Sequence, residues 1–332
     1  MNQAAIVTGL RGQDGSFLAE QLIAKGYQVY GLIRRASQGL DLGCAKGLDG
    51  NPMLEVVEGD VTDAAGLAHL CKTARPSLFF NMAAQSHVGS SFDQPTYTAQ
   101  STGVGVLNCL EAIRLSGIHT RFLQASTSEL FGGMSSEAAN EKTPFHPRSP
   151  YGCAKLFGYW ITINYRESYN IFACNSICFN HESERRGPNF VTRKITKAVA
   201  RIKKREQQKL YLGNLEAKRD WGYAPDFTRG MIQTLTESAV PDDYVMATGE
   251  THSVREFCYH AFGYVDLDYK DYVEIDPRHY RPAEVEVLRG DYSKINKALG
   301  WKPTTTFKSL VELMVAHDLN ESHIDRDGNP LP

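Results

Sequence analysis

The chain has 332 residues, of which 42% are hydrophobic and 22% charged, and its formal net charge is −2. This length is typical of one large α/β unit or of two domains, and the balanced composition argues against extended disorder. The small net charge excludes a global attraction to nucleic acid or to an anionic membrane, and no apolar run reaches the roughly 18 residues of a bilayer span. Because the chain opens directly into a strand pattern, we expect no signal peptide and predict a cytoplasmic protein.

Cysteine and histidine spacing indicates neither a disulfide framework nor a metal site. The 7 cysteines form no C-x-x-C pair, and the 10 histidines show no H-x-x-x-H spacing. Cys174 and Cys178 fall at positions of one predicted strand that share a face, which is typical of small core residues in a reducing compartment. We therefore expect no metal.

Strand and helix patterns alternate through the first half of the chain. Short apolar runs predict strands at 4–9, 27–33, 54–60, 77–83, 121–127 and 171–180. Helical spacing predicts helices at 15–26, from 63 onward, at 103–116 and at 149–169. Gly26 is expected as a C-cap, Ser149 as an N-cap and Pro150 as a first helical residue. This alternation predicts a doubly wound parallel sheet, a Rossmann-type α/β fold.

Three glycines, Gly9, Gly12 and Gly15, follow the first predicted strand in the pattern G-x-x-G-x-x-G. Glycines permit a tight turn and a close backbone approach, and the following helix would offer free N–H groups to a diphosphate. An ordinary strand-to-helix turn is the alternative. The strand–turn–helix context favours a dinucleotide site.

Arg34 and Arg35 follow the second predicted strand. Folds that bind NAD place an acidic residue there for the ribose hydroxyls, whereas guanidinium groups suit a 2′-phosphate. The pair therefore favours NADP over NAD. The alternative is that both arginines are solvated loop charges.

The second half of the chain is less regular. Residues 180–194 and 212–223 are polar, contain glycine and are rich in arginine, which predicts binding loops, and 253–263, 291–299 and 307–319 have the spacing of small helices. We predict a Rossmann domain at 1–178, to which about 222–248 returns. A smaller, discontinuous α/β substrate domain would cover most of 179–320, before a polar tail at 321–332.

Tyr151 and Lys155 are four residues apart on one predicted helix and therefore share a face. A phenol has a reference pKa of about 10, and lowering it to about 7 requires roughly 4 kcal/mol of extra stabilisation of the phenolate. A nearby ammonium group and an oxidised nicotinamide would both supply it. This pair predicts a phenol that acts as a base in hydride transfer.

Glu129 lies two residues after Thr127, the last residue of a predicted strand. Hydride transfer needs only a hydroxyl beside the tyrosine, so a plain reductase or epimerase would not require this carboxylate. A β-elimination of water needs such an additional acid/base group. The alternative is a surface glutamate at a helix start.

Several long segments, in this order, resemble GDP-mannose 4,6-dehydratases of the extended short-chain dehydrogenase/reductase superfamily. They are "STSELFG", "TPFHPRSPYGCAK", "NYRESYN", "FNHESERRGPNFVTRKI", "LGNLEAKRDWGYAPDF", "ATGETHSVREF" and "DPRHYRPAEVE". The resemblance runs from residue 4 to about residue 319. The dTDP-glucose dehydratases are similar but carry Asp-Glu where this chain has Ser128 and Glu129.

The resemblance implies a role for each matching residue. The catalytic residues would be Thr127, Glu129, Tyr151 and Lys155. The residues that hold NADP would be Gly9, Gly12, Gln13, Asp14, Gly15, Arg34, Arg35, Asp60, Val61, Ala83, Ala84, Gln85, Tyr97, Lys155, His181 and Arg186. The residues that bind the GDP-sugar would be Ser86, Asn180, Lys194, Arg219, Arg281 and Glu284.

The implied reaction converts GDP-mannose to GDP-4-keto-6-deoxy-mannose and water. Tyr151 would take the proton of the C4 hydroxyl while the C4 hydride leaves for NADP. Glu129 would remove the C5 proton, and water would leave C6 with help from Thr127. Hydride would then return to C6, so that the cofactor ends as it began.

Two matters stay open in the sequence. Residues 36–53 are shorter than the segment by which family members reach a neighbouring subunit's cofactor, so a homodimer and a homotetramer are both compatible with the chain. One alternative is that the substrate is a related GDP-sugar, such as a GDP-manno-heptose. The alternative function, of another class, is that of a non-catalytic dinucleotide-sensing module. The four intact residues of the catalytic set argue against a sensor.

Overall fold

The computed structural model describes residues 3–35, 41–132, 138–279 and 287–321. The strands of these residues are β1 Ala4–Thr8, β2 Gln28–Ile33, β3 Leu54–Glu58, β4 Leu78–Asn81, β5 Arg121–Thr127, β6 Ala173–Cys178, β7 Asn180–Glu182, β8 Leu210–Leu212, β9 Lys218–Arg219, β10 Trp221–Tyr223, β11 Tyr244–Met246, β12 His252–Ser253, β13 Val273–Ile275 and β14 Val287–Leu288. The α-helices are α1 Gln13–Ala24, α2 Ala64–Ala74, α3 Val88–Asp93, α4 Pro95–Thr98, α5 Gly105–Ser116, α6 Pro150–Tyr169, α7 Val191–Lys203, α8 Ala224–Thr236, α9 Val254–Gly263, α10 Ser293–Leu299 and α11 Phe307–Glu321.

Seven parallel strands form the central sheet, in the order β11-β6-β5-β4-β1-β2-β3. The strand order changes direction between β1 and β4, which pair with Val7 opposite Phe80. In sheets of this kind, ligands bind outside the carboxyl ends of the strands at such a switch point. The predicted doubly wound α/β fold is confirmed.

Helices cover both faces of the sheet. On one face, Leu18 of α1 and Met231 of α8 pack against strand residues that include Cys174 and Cys178. On the other face, Leu67 of α2, together with residues of α5 and α6, packs against alternate residues of the same strands. Because both faces are covered, the strands are nearly continuous hydrophobic runs, as the sequence shows.

Local signals set the ends of two helices that carry the site. Gly26 has a φ of +86° and follows the C-cap residue of α1, and its N–H donates to the carbonyl of Ile23 at 2.9 Å, which closes a left-handed turn that favours glycine. Ser149 caps α6 by accepting the N–H of Gly152 at 3.0 Å, and Pro150 is the first helical residue. The bounds of β5 and α6 agree with the prediction.

The predicted helix at 103–116 begins earlier than expected. The chain becomes helical at Pro95 in α4, passes through a π-helical turn at Ala99–Val104 and continues as α5. A proline at the first helical position explains the earlier start, because it fixes φ at a helical value and needs no hydrogen-bond acceptor. None of the helices that the structure describes is both long and apolar enough to cross a membrane.

The region after β6 forms smaller sheets and a separate core. Three sheets of two or three strands pair β10 with β7, β13 with β8, and β9 with β12 and β14. Trp221, Phe257 and Phe307 lie in a core shared by α7, α9 and α11. The helices predicted at 253–263, 291–299 and 307–319 are confirmed, but the expectation of loops at 180–194 and 212–223 was wrong in part, because these stretches contain β7, β9, β10 and the start of α7.

Two short returns connect this region to the central sheet. Residues 244–246 pair with β6 as the seventh strand, and α8 packs on the face that α1 also covers. The division of the chain into domains at residue 178 stays a prediction.

Candidate active site

A cavity of about 500 Å³ opens at the carboxyl edge of the central sheet. It is bounded by residues that follow β4, β5 and β6 and by side chains of α6 and α7. All four residues of the predicted catalytic set line it, as do many of the predicted binding residues. Those binding residues are Asp14, Ala84, Ser86, Asn180, His181, Arg186, Lys194 and Arg219.

Thr127 lies at the centre of the catalytic set. It ends β5, and its hydroxyl is hydrogen-bonded to the phenol of Tyr151 and accepts the N–H of Glu129 at 3.2 Å. Glu129 sits on a 3₁₀ turn directly after the strand and is only 9% exposed. A hydroxyl, a phenol and a carboxylate therefore face one buried space.

The ammonium group of Lys155 is close to the phenol but does not by itself activate it. Its Nζ lies 5.7 Å from the ring centre of Tyr151 and donates to the carbonyl of Ala125 at 2.6 Å. Burial raises the pKa of Tyr151, the hydrogen bond from Thr127 lowers it, and the charge of Glu129 raises it further. The chain's own groups therefore do not produce the expected fall in the pKa of Tyr151, because the effect of burial is larger than that of the Thr127 hydrogen bond.

Burial also acts on Lys155, whose pKa it lowers to about 8. Both members of the pair are therefore biased towards their neutral forms. A positively charged group in the cavity would shift the phenol towards ionisation.

Asp14 and His181 form a partly buried pair at the first turn of α1. Nε2 of His181 lies 3.0 Å from Oδ2 of Asp14, and Nδ1 lies 2.7 Å from the carbonyl of Phe179. A carbonyl can only accept, and so can an ionised carboxylate, so both ring nitrogens donate and the ring is an imidazolium. The ring also stacks on Phe227, with 4.7 Å between ring centres.

The two pKa values of this pair move in opposite directions. Burial alone would raise the pKa of Asp14, but the charge and hydrogen bond of His181 bring it to about 2. Burial would lower the pKa of His181, and Asp14 raises it above its usual value. The two shifts and the hydrogen-bond geometry therefore both favour an ion pair, which joins α1 to β7.

The glycine loop is closed by tight backbone contacts. Gly9 has a φ of +69°, and a Cβ on Gly15 would lie 2.3 Å from the carbonyl oxygen of Gly9. Any side chain at Gly15 would force the loop away from the start of α1.

The hydroxyl of Ser126 is buried, lines the cavity and has no hydrogen-bond partner within the residues that the structure describes.

Other residues of the predicted cofactor set do not line the cavity but follow the sheet edge towards β3. Arg34 donates to the phenol oxygen of Tyr97, and Arg35 lies 3.7 Å from Glu58 with its side chain 85% exposed. Asp60 accepts the N–H and the hydroxyl of Thr62, each at 2.9 Å. The remaining members outside the lining are Gly9, Gly12, Gln13, Gly15, Val61, Ala83 and Gln85.

Four of the six predicted substrate residues line the same cavity, as does Arg186 of the predicted cofactor set; the four are Ser86, Asn180, Lys194 and Arg219. Lys194 donates from Nζ to the carbonyl of Tyr211 at 2.7 Å, and Arg219 donates to the carbonyl of Lys218 at 2.9 Å. Arg186 pairs with Glu182 at 3.1 Å. Arg281 and Glu284 lie outside the described residues.

Several polar or aromatic lining residues were not predicted, among them His87, Asn189, Phe190, Asn214 and Arg278. The nearness of His87 to the end of β4 was an available signal, because loops after parallel strands meet at one edge. Asn189, Phe190 and Asn214 lie in segments that the sequence marked only as polar and Arg-rich, and Arg278 lies outside those segments. No sequence pattern placed their side chains in the cavity.

The fold and the site together define an extended short-chain dehydrogenase/reductase, in which a Tyr–Lys helix and a hydroxyl at a strand end face a dinucleotide loop. The additional carboxylate points to the dehydratases within that class. The family model described as GDP-mannose 4,6 dehydratase matches residues 6–314. The chain belongs to the GDP-mannose 4,6-dehydratase family, and its enzyme class is that of the hydro-lyases.

A similar protein supports this assignment, and two solved structures share the fold. GDP-mannose 4,6 dehydratase 2 of Arabidopsis thaliana is 50% identical over 325 residues, covering 95% of this chain and 86% of that protein. A dTDP-glucose 4,6-dehydratase from Bacillus anthracis in complex with NAD shares the fold at a TM-score of 0.84 and 21% identity, covering 96% of this chain and 98% of that chain. RMD from Pseudomonas aeruginosa, complexed with NADPH, gives a TM-score of 0.80 at 21% identity, covering 96% of this chain and 100% of that chain.

Proposed function

We propose that Thr127, Glu129, Tyr151 and Lys155 dehydrate GDP-mannose to GDP-4-keto-6-deoxy-mannose, with NADP as the resident cofactor. The observation that supports this most is the buried grouping of a carboxylate, a hydroxyl and a phenol around Thr127. A reductase would use the phenol and the hydroxyl alone, whereas removal of water also needs a base for a carbon-bound proton.

The residues present fit a nicotinamide dinucleotide. The tight glycine loop leaves room for a diphosphate at the start of α1, because no side chain projects from Gly12 or Gly15. The hydroxyl of Ser126, which has no hydrogen-bond partner among the described residues, offers a polar partner to a bound group inside the cavity. When bound, the nicotinamide would accept hydride from C4 of the sugar and return it at C6.

Tyr151 would act in the oxidation of C4. Its phenol shares a hydrogen bond with Thr127, so the phenol and the hydroxyl can both contact one sugar hydroxyl. Lys155, held by the carbonyl of Ala125, would stabilise the phenolate that then accepts the proton of the C4 hydroxyl. Positive charge on the bound cofactor would supply the stabilisation that burial removes.

Glu129 would act in the elimination. A ketone at C4 acidifies the C5 hydrogen, and the carboxylate would accept that proton. The protonated Glu129 and the hydroxyl of Thr127 would then assist the departure of the C6 hydroxyl as water. The low exposure of Glu129, 9%, keeps bulk water from competing for this proton.

The basic wall would bind the GDP moiety. Lys194 and Arg219 line the cavity, are each held by a backbone carbonyl, and carry the charge that a diphosphate requires. Ser86 and Asn180 line the same space and would contact sugar hydroxyls.

Arg34 and Arg35 would select NADP over NAD. Both follow β2, where the adenosine ribose of a dinucleotide lies in this fold. Arg35 is weakly paired and largely exposed, so its guanidinium can turn towards a 2′-phosphate. A cytoplasmic location agrees with this assignment and stays a prediction.

We also propose a homodimer through α5 and α6. Phe157 and Trp160 of α6 are 44% and 55% exposed, and Val104 at the start of α5 is 43% exposed. Large apolar side chains on adjacent helices favour burial by a second subunit. A tetramer has less support, because residues 41–48 pack on their own subunit, where Asp41 pairs with Arg11 at 2.6 Å.

Glu129→Gln tests this assignment directly, because glutamine keeps the shape but cannot accept the C5 proton. Wild-type protein should release water from GDP-mannose without a lasting rise in absorbance of reduced nicotinamide. The variant should lose at least about 10²-fold in dehydration, and it should accumulate a 4-keto hexose together with NADPH. Mass spectrometry of the nucleotide sugar and the absorbance record measure both.

Glu55→Gln, at an exposed carboxylate of β3, is the matched control and should behave as wild type. Incorporation of solvent deuterium at C5 should require Glu129. Near wild-type dehydration by Glu129→Gln would refute its role, and stoichiometric NADPH from wild-type protein would indicate a dehydrogenase. Faster turnover of a GDP-manno-heptose than of GDP-mannose would change the proposed substrate and leave the proposed mechanism unchanged.

A further inference from the structure

Residues 82–87, the loop after β4, join the predicted cofactor side of the cavity to the predicted substrate side. Ala84, Ser86 and His87 all line the cavity. The loop contains no regular structure, so its backbone must be held by other parts of the chain.

Two buried threonine hydroxyls hold the backbone of this loop. At its start, the N–H groups of Met82 and Ala83 donate to Oγ1 of Thr8, at 3.0 and 3.1 Å. Further along, the N–H of Gln85 donates to Oγ1 of Thr102 at 3.0 Å. Thr8 is 0% and Thr102 1% exposed, so neither contact is replaced by solvent.

Thr102 reaches the loop from the π-helical turn that precedes α5. A π turn inserts one extra residue into a helix and changes the direction of the side chains that follow. Two residues that precede Thr102 in the chain use their hydroxyls within the helix. Thr98 donates to the carbonyl of Gln94, and Ser101 donates to the carbonyl of Tyr97. Thr102 therefore differs from its neighbours in bonding outside the helix.

The same turn is packed directly against α6, the helix of Tyr151 and Lys155. A Cβ on Gly103 would lie 3.3 Å from the carbonyl oxygen of Ala154, and one on Gly158 would lie 3.7 Å from that of Thr102. Glycines on both helices thus allow the backbones to approach closely. The distance between α6 and the turn has little freedom to change.

We propose that Thr102 is a positioning residue that sets loop 82–87 relative to α6, and thereby the binding of both dinucleotide and GDP-sugar. Its hydroxyl fixes the backbone of Gln85, directly before Ser86 and His87. The effect on the sugar rests on the function proposed above, whereas the effect on the dinucleotide requires only that this edge binds one.

Thr102→Val tests the proposal, and Thr98→Val is its matched control. Both threonines are buried on one helical segment, and both changes replace a hydroxyl by a methyl group, but only Thr102 bonds the loop. Leaving a buried N–H unpaired corresponds to about 5-fold or more in an equilibrium constant. We expect Thr102→Val to raise the Kd for NADP, measured without sugar, and the KM for GDP-mannose by about 5- to 100-fold. Thr98→Val should change neither by more than about twofold.

Thr102→Ser keeps the hydroxyl and should restore both constants. In wild-type protein, the Gln85 amide should exchange slowly with deuterated solvent, a measurement that stands even if Thr102→Val does not fold. Equal constants for the two valine variants at similar thermal stability, or fast exchange at Gln85, would overturn the proposal. Failure of Glu129→Gln to alter dehydration would leave the Kd result intact, so the two hypotheses are tested separately.

Discussion

The floor and the rim of the cavity are built differently. At the floor, Thr127 is 8%, Tyr151 8% and Lys155 4% exposed, and internal hydrogen bonds hold each side chain. The rim is the sheet edge after β2, beyond the residues that line the cavity. There the side chain of Arg35 is 85% exposed and lies 3.7 Å from Glu58. The floor is fixed before any ligand binds, whereas rim side chains can turn to meet one. Changes at the floor should therefore alter the chemical step, and changes at the rim should alter which cofactor binds.

Removal of the floor phenol should have the largest effect. Tyr151→Phe keeps the ring in its buried place and removes the hydroxyl that is bonded to Thr127. The loss of a general base lowers rates by about 10²–10⁴, so oxidation at C4 should slow by about that factor. Glu129→Gln should still carry out this oxidation. Single-turnover formation of the 4-keto sugar measures this, with Tyr169→Phe on the exposed end of α6 as the control. Rapid C4 oxidation without Tyr151 would show that the floor is not the chemical centre.

Removal of the rim charges should have a smaller and more selective effect. Arg34→Ala with Arg35→Ala should weaken NADP by about 10- to 100-fold, because each phosphate contact contributes roughly 1.5–3 kcal/mol. The affinity for NAD should change little. Titration of both dinucleotides by calorimetry measures the ratio, with Arg75→Ala, at the C-terminal end of α2, as the control. Equal affinity of wild-type protein for NAD and NADP would contradict the assignment.

The Asp14–His181 pair lies between floor and rim and should affect both dinucleotides alike. His181→Gln removes the positive charge and leaves a partly buried carboxylate at the start of α1, where a diphosphate would lie. We expect about tenfold weaker binding of NAD and of NADP, the equivalent of about 1.4 kcal/mol. Asp14→Asn with His181→Gln should recover most of the loss, since no unpaired charge remains. A double variant no better than His181→Gln would show that the imidazolium acts on the ligand directly.

The smallest effect concerns pH. The pKa of Asp14 is lowered to about 2. Its contribution to the free energy of unfolding is therefore present above its usual pKa and is lost as pH falls towards 2. The pKa of His181 is raised. Its contribution to the free energy of unfolding is therefore present below its usual pKa and is lost as pH rises through the raised pKa. The free energy of unfolding should therefore be constant between about pH 4.5 and 6 and decline at higher pH. Urea denaturation at a series of pH values measures this. Asp14→Asn should flatten that decline. An unchanged slope in this variant would show that the decline does not come from the Asp14–His181 pair.

Local patterns predicted those parts of the molecule that local forces determine. The bounds of β5, the Ser149 cap of α6 and the shared face of Tyr151 and Lys155 follow from strand and helix periodicity and from one hydrogen bond within a turn. The glycine loop could be predicted for the same reason. The irregular second region gave weaker predictions, because its short strands pair with distant partners, such as β10 with β7.

The sequence by itself determined the sheet, its helices and the set of chemical groups, since periodicity and capping act over a few residues. Only the tertiary structure decided how those groups combine. It joins Asp14 to His181 across 167 positions and Gln85 to Thr102 through a π turn that no local pattern indicated. It also raised the pKa of Tyr151, because burial depends on everything that covers the side chain and cannot be read from its neighbours in the chain.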